Sequence, residues 1–230
     1  MNDTAIDVGA ARASLLDAIL PHVVFDGWGA ASLRAAAQDA GVPVPLLRVI
    51  LPRGAVDLAA DYHRLGDARM LDRMRSGEVD GLRHSEKVTA AIRFRLEAAD
   101  REIVRRSAAL FALPQNAARG AQLVWGTADA IWRALGDMSE DAAWYSKRAI
   151  LSGVYSATVL YWIADESPGH GMTWAFVDRR IADVMRFEKF KAQVRDNRLL
   201  APFLKGPLSI LSRIRAPHGV PDDMPHPAPR

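Results

Sequence analysis

The stretch AGVPVPLLRVILPRG, residues 40–54, has the pattern of a turn followed by a short helix. Gly41 marks the turn, and the apolar residues after it recur at helical spacing. Helices predicted at residues 11–25 and 30–40 precede it, so the order is that of a helix-turn-helix unit. In a DNA-reading unit, the start of the last helix presents polar and basic side chains to base edges.

That start is VPVP, residues 42–45, which has no side-chain hydrogen-bond donor, and its two prolines lack a backbone N–H. Arg34, Arg48 and Arg53 can contact phosphates, which gives affinity without sequence information, although scattered arginines are also typical of a solvated face. We therefore expect no sequence-specific binding of nucleic acid and interpret the unit as a packing scaffold.

The composition is that of a folded, soluble protein. Half of the 230 residues are hydrophobic, which is enough for a sizeable core, and the absence of cysteine excludes disulfides and thiolate metal sites. The N-terminal residues MNDTAIDVGAARAS are polar and unlike an export signal. The apolar run at residues 149–164 is shorter than the roughly 20 residues of a membrane span and is interpreted as a buried core helix. We expect a cytoplasmic protein.

Helical periodicity extends over nearly the whole chain, and no stretch alternates in the manner of a strand, so the sequence predicts an all-α fold. The predicted helices are 11–25, 30–40, 45–51, 54–75, 84–99, 101–112, 116–135, 140–164, 172–195 and 199–214. The predicted parts are an N-terminal trihelical unit over 1–60, a helical ligand-binding domain over 61–195, an amphipathic helix over 198–215 and a disordered, proline-rich tail over 216–230.

Positive charge is concentrated near the C-terminus. The net charge is +3, but residues 186–215 hold eight basic and two acidic residues, a local +6. Within RLLAPFLKGPLSILSRIR, residues 198–215, apolar side chains share one half of a helical wheel, which is typical of an interfacial membrane helix. The residues predicted to contact the membrane are Leu199, Leu200, Phe203, Leu204, Lys205, Leu208, Leu211, Arg213, Ile214 and Arg215. Pro202 and Pro207 bend or split this helix, and docking on its own domain or on a second subunit remains an alternative.

The run from residue 128 to 167, followed by TWAFVDRRIADVM at 173–185, carries a specific combination of residues. Its members are Asp129, Ile131, Trp132, Gly136, Asp137, Ser139, Asp141, Trp144, Tyr145, Lys147, Arg148, Tyr155, Asp165, Ser167, Thr173 and Trp174. This combination, with the trihelical order of the N-terminus, resembles the ubiquinone (coenzyme Q) biosynthesis accessory lipid-binding family, whose fold is TetR-like. The resemblance covers residues 15–214 and is strongest over 125–185.

The resemblance implies an auxiliary protein and not an enzyme. Members of the family bind an isoprenoid lipid or quinone precursor in an apolar pocket, associate peripherally with a membrane and assist a ubiquinone-pathway hydroxylase. For this chain it implies a place on the inner face of the membrane, and analogy with TetR-like proteins implies a homodimer. The partner-binding residues carried over from the family are Asp129, Trp132, Trp144, Tyr145 and Arg148.

Helical spacing supports parts of this picture. Trp144 and Tyr145 point about 100° apart, so one of them should be exposed, and each has a cationic residue three positions later. Burial of Trp144 with a satisfied indole N–H is the alternative. The predicted lipid-binding residues are Ile131, Leu135, Ile150, Val154, Leu160 and Phe176. For each of them, ordinary core packing is the alternative.

No pattern of catalytic residues supports an enzyme. The six histidines are scattered without metal-ligand spacing, and neither a Gly-x-Ser-x-Gly elbow nor a phosphate loop is present. We therefore predict no catalytic residue, no metal and no cofactor. The alternative functions are a TetR-like, ligand-responsive transcriptional regulator and an enzyme that acts on the lipid itself.

Overall fold

The structure, a computed structural model, describes residues 7–139 and 142–196; of residue 142 and residues 187–196 it gives the backbone only. In this part of the chain there are nine α-helices and two 3-10 turns, and no strand. The helices are α1 (Val8–Asp26), α2 (Ala30–Asp39), α3 (Leu47–Ile50), α4 (Ala55–Arg75), α5 (His84–Glu97), α6 (Arg101–Ala112), α7 (Pro114–Ala134), α8 (Ala142–Ala164) and α9 (Gly171–Asp196). The predicted all-α fold is confirmed. The predicted helix at 199–214, the membrane residues and the tail at 216–230 lie outside the described residues.

The N-terminal helices form a core of their own. Asp7 caps α1 by accepting hydrogen bonds from the backbone N–H groups of Gly9 and Ala10, at 2.8 and 3.1 Å. Three fully buried side chains recur every fourth residue along α1: Leu15, Ile19 and Val23. Trp28, in the turn before α2, donates its indole N–H to Ser107 Oγ at 2.9 Å, which ties this unit to α6.

Helix α1 has 19 residues and a mean hydropathy of 1.4, so by length and composition it could span a membrane. Its buried stripe packs against α2, α4 and α6, and Pro21 lies within it. In this structure α1 is therefore a core helix of the N-terminal unit. The apolar run at 149–164 lies in α8 and does not meet the same criteria.

The predicted recognition helix is a single turn. Residues 44–46 form a 3-10 turn that leads directly into α3, which has four residues. Leu47 and Ile50 are buried, whereas Val44 and Val49 are exposed. The outward surface of this element therefore carries two valines beside the exposed Arg48, whereas a DNA-reading helix presents a row of hydrogen-bond donors.

A second core lies among the C-terminal half of α4 and helices α5, α7, α8 and α9. Its fully buried members include Met70, Ile92, Leu96 and Ile131. Helix α4 contributes to both cores, since Tyr62 belongs to the first and Met70 to the second. The boundary predicted at residue 60 thus falls inside a continuous helix, which couples the two units mechanically.

Candidate functional site

A largely apolar cavity of about 380 Å³ lies between α4, α5, α6, α7 and α8. Its lining consists of Tyr62, His63, Arg95, Leu96, Val104, Ser107, Ala108, Phe111, Ala112, Ala117, Gly120, Ala121, Leu123, Val124, Tyr155, Ser156, Val159 and Leu160. Small residues on α6 and α7 form much of the wall, which leaves space between these helices. The cavity opens to the surface, since Leu160 is 65% exposed and the lining residues Ala112, Ala117 and Ala121 are exposed as well. The volume falls within the roughly 300–1,000 Å³ typical of small-molecule sites.

Of the six residues predicted to bind lipid, Leu160 lines this cavity. Ile131, Leu135 and Val154 pack in or against the second core, and Phe176 stacks on Tyr161 with ring centroids 4.8 Å apart. Ile150 is half-buried and does not line the cavity either. The predicted residues lie on α7, α8 and α9, whereas the cavity lining comes from α4 to α8 and uses a different face of α8, since a shift of one residue turns a helix by about 100°.

A buried polar network forms the floor of the cavity, which sequence analysis did not predict. The Arg95 guanidinium donates from Nε to Asp67 Oδ1 at 2.7 Å and from Nη2 to the His63 carbonyl oxygen at 2.9 Å. Thr127 Oγ1 donates to the same Asp67 oxygen at 2.9 Å and lies 2.8 Å from His63 Nε2. Gly66 makes room for this guanidinium, because a Cβ there would lie 2.4 Å from Arg95 Nη1.

Burial sets the charge of the floor. It lowers the pKa of His63 to about 3, with a further contribution from the charge of Arg95, so the imidazole is neutral at pH 7. Burial also raises the pKa of the Tyr155 hydroxyl to about 12, so this group stays protonated. Asp67 is the carboxylate that faces the Arg95 guanidinium. The sequence feature that could have indicated this network is the pair His63 and Asp67, which are four residues apart and share one face of α4.

The predicted partner-binding residues come together at the end of α7 and the start of α8. Arg148 pairs with Asp129 at 2.5 Å and with Asp137 at 3.0 Å. Its guanidinium carbon lies 4.0 Å from the centroid of the Trp144 ring. Trp132 donates its indole N–H to the Lys147 carbonyl oxygen at 3.2 Å.

Arg148 is not available to a partner. Its side chain is 1% exposed, since two carboxylates and an aromatic ring surround it. The sequence analysis placed it beside Tyr145, three residues earlier, but it stacks under Trp144, four residues earlier. We correct its role accordingly: Arg148 holds the start of α8 against α7 and orients Trp144.

Three aromatic residues form a cluster that we call the aromatic patch: Trp125, Trp144 and Tyr145. Trp144 and Tyr145 are in edge contact with centroids 4.7 Å apart, and Trp125 lies 5.9 Å from Trp144. All three are half-buried, so neither member of the Trp-Tyr pair is fully exposed or fully buried. Sequence analysis missed Trp125, which lies one turn of α7 before Asp129.

Other residues of the recognised combination shape the turn between α8 and α9. The Asp165 carboxylate accepts hydrogen bonds from the backbone N–H groups of Ser167 and Thr173, at 2.8 and 2.9 Å, and from the Thr173 hydroxyl at 2.6 Å. These bonds hold the pKa of Asp165 well below its usual range. In the two described segments, no group of three His, Asp or Glu residues is placed to hold a metal ion.

Comparison with solved structures defines the class of fold. The TetR transcriptional regulator from Nitrosomonas europaea ATCC 19718 matches with a TM-score of 0.61 at 20% identity, over 75% of this chain and 97% of the regulator. The protein therefore has a TetR-like all-α fold, with a cavity enclosed by five of its helices.

Comparison with protein families then gives the relationship. Residues 117–188 match the COQ9 family. The chain is 29% identical over 192 residues to the mitochondrial ubiquinone biosynthesis protein COQ9 of Drosophila melanogaster, over 81% of this chain and 59% of the fly protein. It is 30% identical over 194 residues to the probable mitochondrial ubiquinone biosynthesis protein coq9 of Dictyostelium discoideum, over 80% of this chain and 63% of that protein. The predicted resemblance to the COQ9 family is confirmed, and the chain spans 59–63% of the length of these two relatives.

Proposed function

We propose that the protein is an auxiliary, non-catalytic component of ubiquinone biosynthesis that binds an isoprenoid quinone precursor and presents it to a partner hydroxylase. The observation that carries the proposal is the cavity between α4 and α8, in a chain similar to proteins named for ubiquinone biosynthesis. The predicted lipid site is revised to the residues that line this cavity. A polyprenyl chain exceeds a volume of about 380 Å³ and would leave the cavity past Leu160.

The aromatic patch is the surface proposed for the hydroxylase. Tryptophan and tyrosine are enriched among the residues that dominate binding energy at interfaces. Two neighbouring residues orient the patch: the Arg148 guanidinium stacks on the Trp144 ring, and the Trp132 indole N–H donates to the Lys147 carbonyl oxygen. A patch held in place before binding loses less entropy when a partner docks.

Membrane association through residues 198–215 and a homodimer complete the proposal, and the cytoplasmic location stays a prediction. At about 1 kcal/mol for each basic residue near an anionic surface, the four basic residues of this segment would contribute roughly 3–4 kcal/mol. That corresponds to a gain of several hundredfold in membrane binding. The curated relatives are named as mitochondrial proteins.

The test is native mass spectrometry with lipid extraction, applied to protein purified from a quinone-producing host. We expect an isoprenoid quinone or precursor with the native chain and its loss in Ala108→Phe, which fills the cavity from α6. The matched control is Ala109→Phe, whose side chain is on the exposed face of the same helix. A native protein without lipid, or equal lipid content in both variants, contradicts the proposal.

A further inference from the structure

One polar group at the floor of the cavity is left without a protein partner. Tyr155 is 3% exposed and lines the cavity, yet its hydroxyl makes no hydrogen bond to any residue that the structure describes. Arg95, which also lines the cavity, uses Nε and Nη2 for Asp67 and His63, and its Nη1 lies against Gly66. Buried polar groups nearly always have partners, so a hydroxyl without one in the lining of a cavity indicates a ligand.

The remainder of the lining gives the cavity a direction. Its walls are apolar, from Val104 and Phe111 on α6 to Val124 on α7 and Val159 on α8. Arg95 and Tyr155 are buried whereas Leu160 is exposed, so these polar groups lie deeper in the cavity than Leu160. This gradient suits an amphipathic ligand that enters with its polar end first.

The charge of the floor selects the kind of polar end. The Arg95 guanidinium already has the Asp67 carboxylate as its counter-ion, and His63 is neutral. A carboxylate or phosphate on the ligand would therefore be buried without a free countercharge, which is costly. A neutral oxygen acceptor needs only the free Tyr155 hydroxyl.

We infer that the cavity binds its ligand head-first, with a ring carbonyl that accepts a hydrogen bond from the Tyr155 hydroxyl, while the chain leaves past Leu160. This inference rests on the proposed function, since it assigns an orientation and a head-group chemistry to the lipid proposed there. Tyr155 thereby discriminates between ligands with and without an acceptor.

The test compares Tyr155→Phe with the native chain against three probes that share an octyl chain: octyl-1,4-benzoquinone, octylbenzene and 4-octylbenzoate. The phenylalanine keeps the ring and the shape of the cavity and removes the hydroxyl alone. We expect Tyr155→Phe to weaken quinone binding about 5–10-fold, the value of one neutral hydrogen bond, and to leave octylbenzene binding within about twofold. The matched control is Tyr161→Phe, whose ring stacks on Phe176 outside the cavity lining.

Native mass spectrometry measures the binding of each probe in these titrations, and each outcome is decisive. Quinone binding that is unchanged in Tyr155→Phe, or lowered equally with octylbenzene, overturns the head-first inference while the lipid cavity stands. Tighter binding of 4-octylbenzoate than of the quinone overturns the neutral head group. A native chain that binds none of the three probes, and behaves like Ala108→Phe, overturns the proposed function together with the inference.

Discussion

Replacement of Arg148 by methionine tests whether its buried ion pairs hold the start of α8 in place. The change keeps the length of the side chain and removes the charge that pairs with Asp129 at 2.5 Å and Asp137 at 3.0 Å. Removal of one partner of a buried ion pair costs about 3–5 kcal/mol. Asp129 keeps Arg133 and Asp137 keeps Lys147, at 2.8 and 2.6 Å, so we expect the lower end, about 3 kcal/mol.

Thermal unfolding followed by circular dichroism measures this cost. In a chain of this size, about 3 kcal/mol lowers the melting temperature by roughly 6–12 °C. Arg133→Met is the matched control, because it removes a cation from the same Asp129 but its side chain is 55% exposed. An exposed pair contributes at most about 1 kcal/mol, so the control should melt within roughly 4 °C of the native chain.

The pH dependence gives a second measurement of the same pairs. Burial opposes ionisation of Asp137, but hydrogen bonds from Lys147, Ser139 and Arg148 outweigh it and lower the pKa to about 2. The resulting stability is present above the ordinary value of 3.8 and is lost as the pH falls towards 2. Arg148→Met should weaken this loss. The role assigned to Arg148 would be refuted by an Arg148→Met variant that melts within 2 °C of the native chain and loses stability at acid pH to the same extent.

Three further predictions concern the floor and the patch. In the unfolded chain the side chain of His63 has an ordinary pKa near 6.5 and takes up a proton between pH 7 and 4.5, whereas in the folded protein its pKa is about 3. The free energy of unfolding should therefore fall by about 3 kcal/mol over this range because of His63 alone. Urea titrations at the two pH values should show that His63→Gln lacks this decrease. Gly66→Ala places a Cβ against the buried Arg95 guanidinium and should lower the free energy of unfolding by about 1–3 kcal/mol. A Cβ at Gly153 meets no atom within 4 Å, so Gly153→Ala should stabilise α8 by up to about 1 kcal/mol. Thermal melts of the two variants measure both effects. Trp144→Ala should weaken hydroxylase binding in calorimetric titrations by about 30-fold or more, whereas Phe25→Ala, at an exposed aromatic of α1, should leave it unchanged.

The helices could be predicted from the sequence because their period and their turn residues are local properties. Gly27, with φ of 73°, ends α1, and Gly41 separates α2 from the turn that leads to α3. The cavity could not be predicted in the same way, because its lining depends on which faces of five helices meet. Tyr155 and its neighbour Val154 both belong to the second core, but only Tyr155 also lines the cavity.

The residues of the proposed partner surface could be chosen by type, but their burial could not be predicted. Spacing along α8 placed Arg148 on the same face as Tyr145, whereas two carboxylates from α7 and the following loop draw it inward. These carboxylates, Asp129 and Asp137, lie 19 and 11 residues before Arg148 in the sequence, and contacts between separate elements leave no periodic signal in the chain. The same holds for Trp125, which joins the patch only because α7 packs against α8.

The cavity and the aromatic patch lie on the same two helices, and this bears on how a ligand would be presented. On α7, Val124 lines the cavity and the next residue, Trp125, belongs to the patch. On α8, Tyr145 precedes Tyr155 by ten residues and Leu160 by fifteen, which places the floor about 15 Å and the opening about 22 Å along the axis from the patch. A ligand held with its head at Tyr155 and its chain at Leu160 therefore has its head nearer the proposed partner surface.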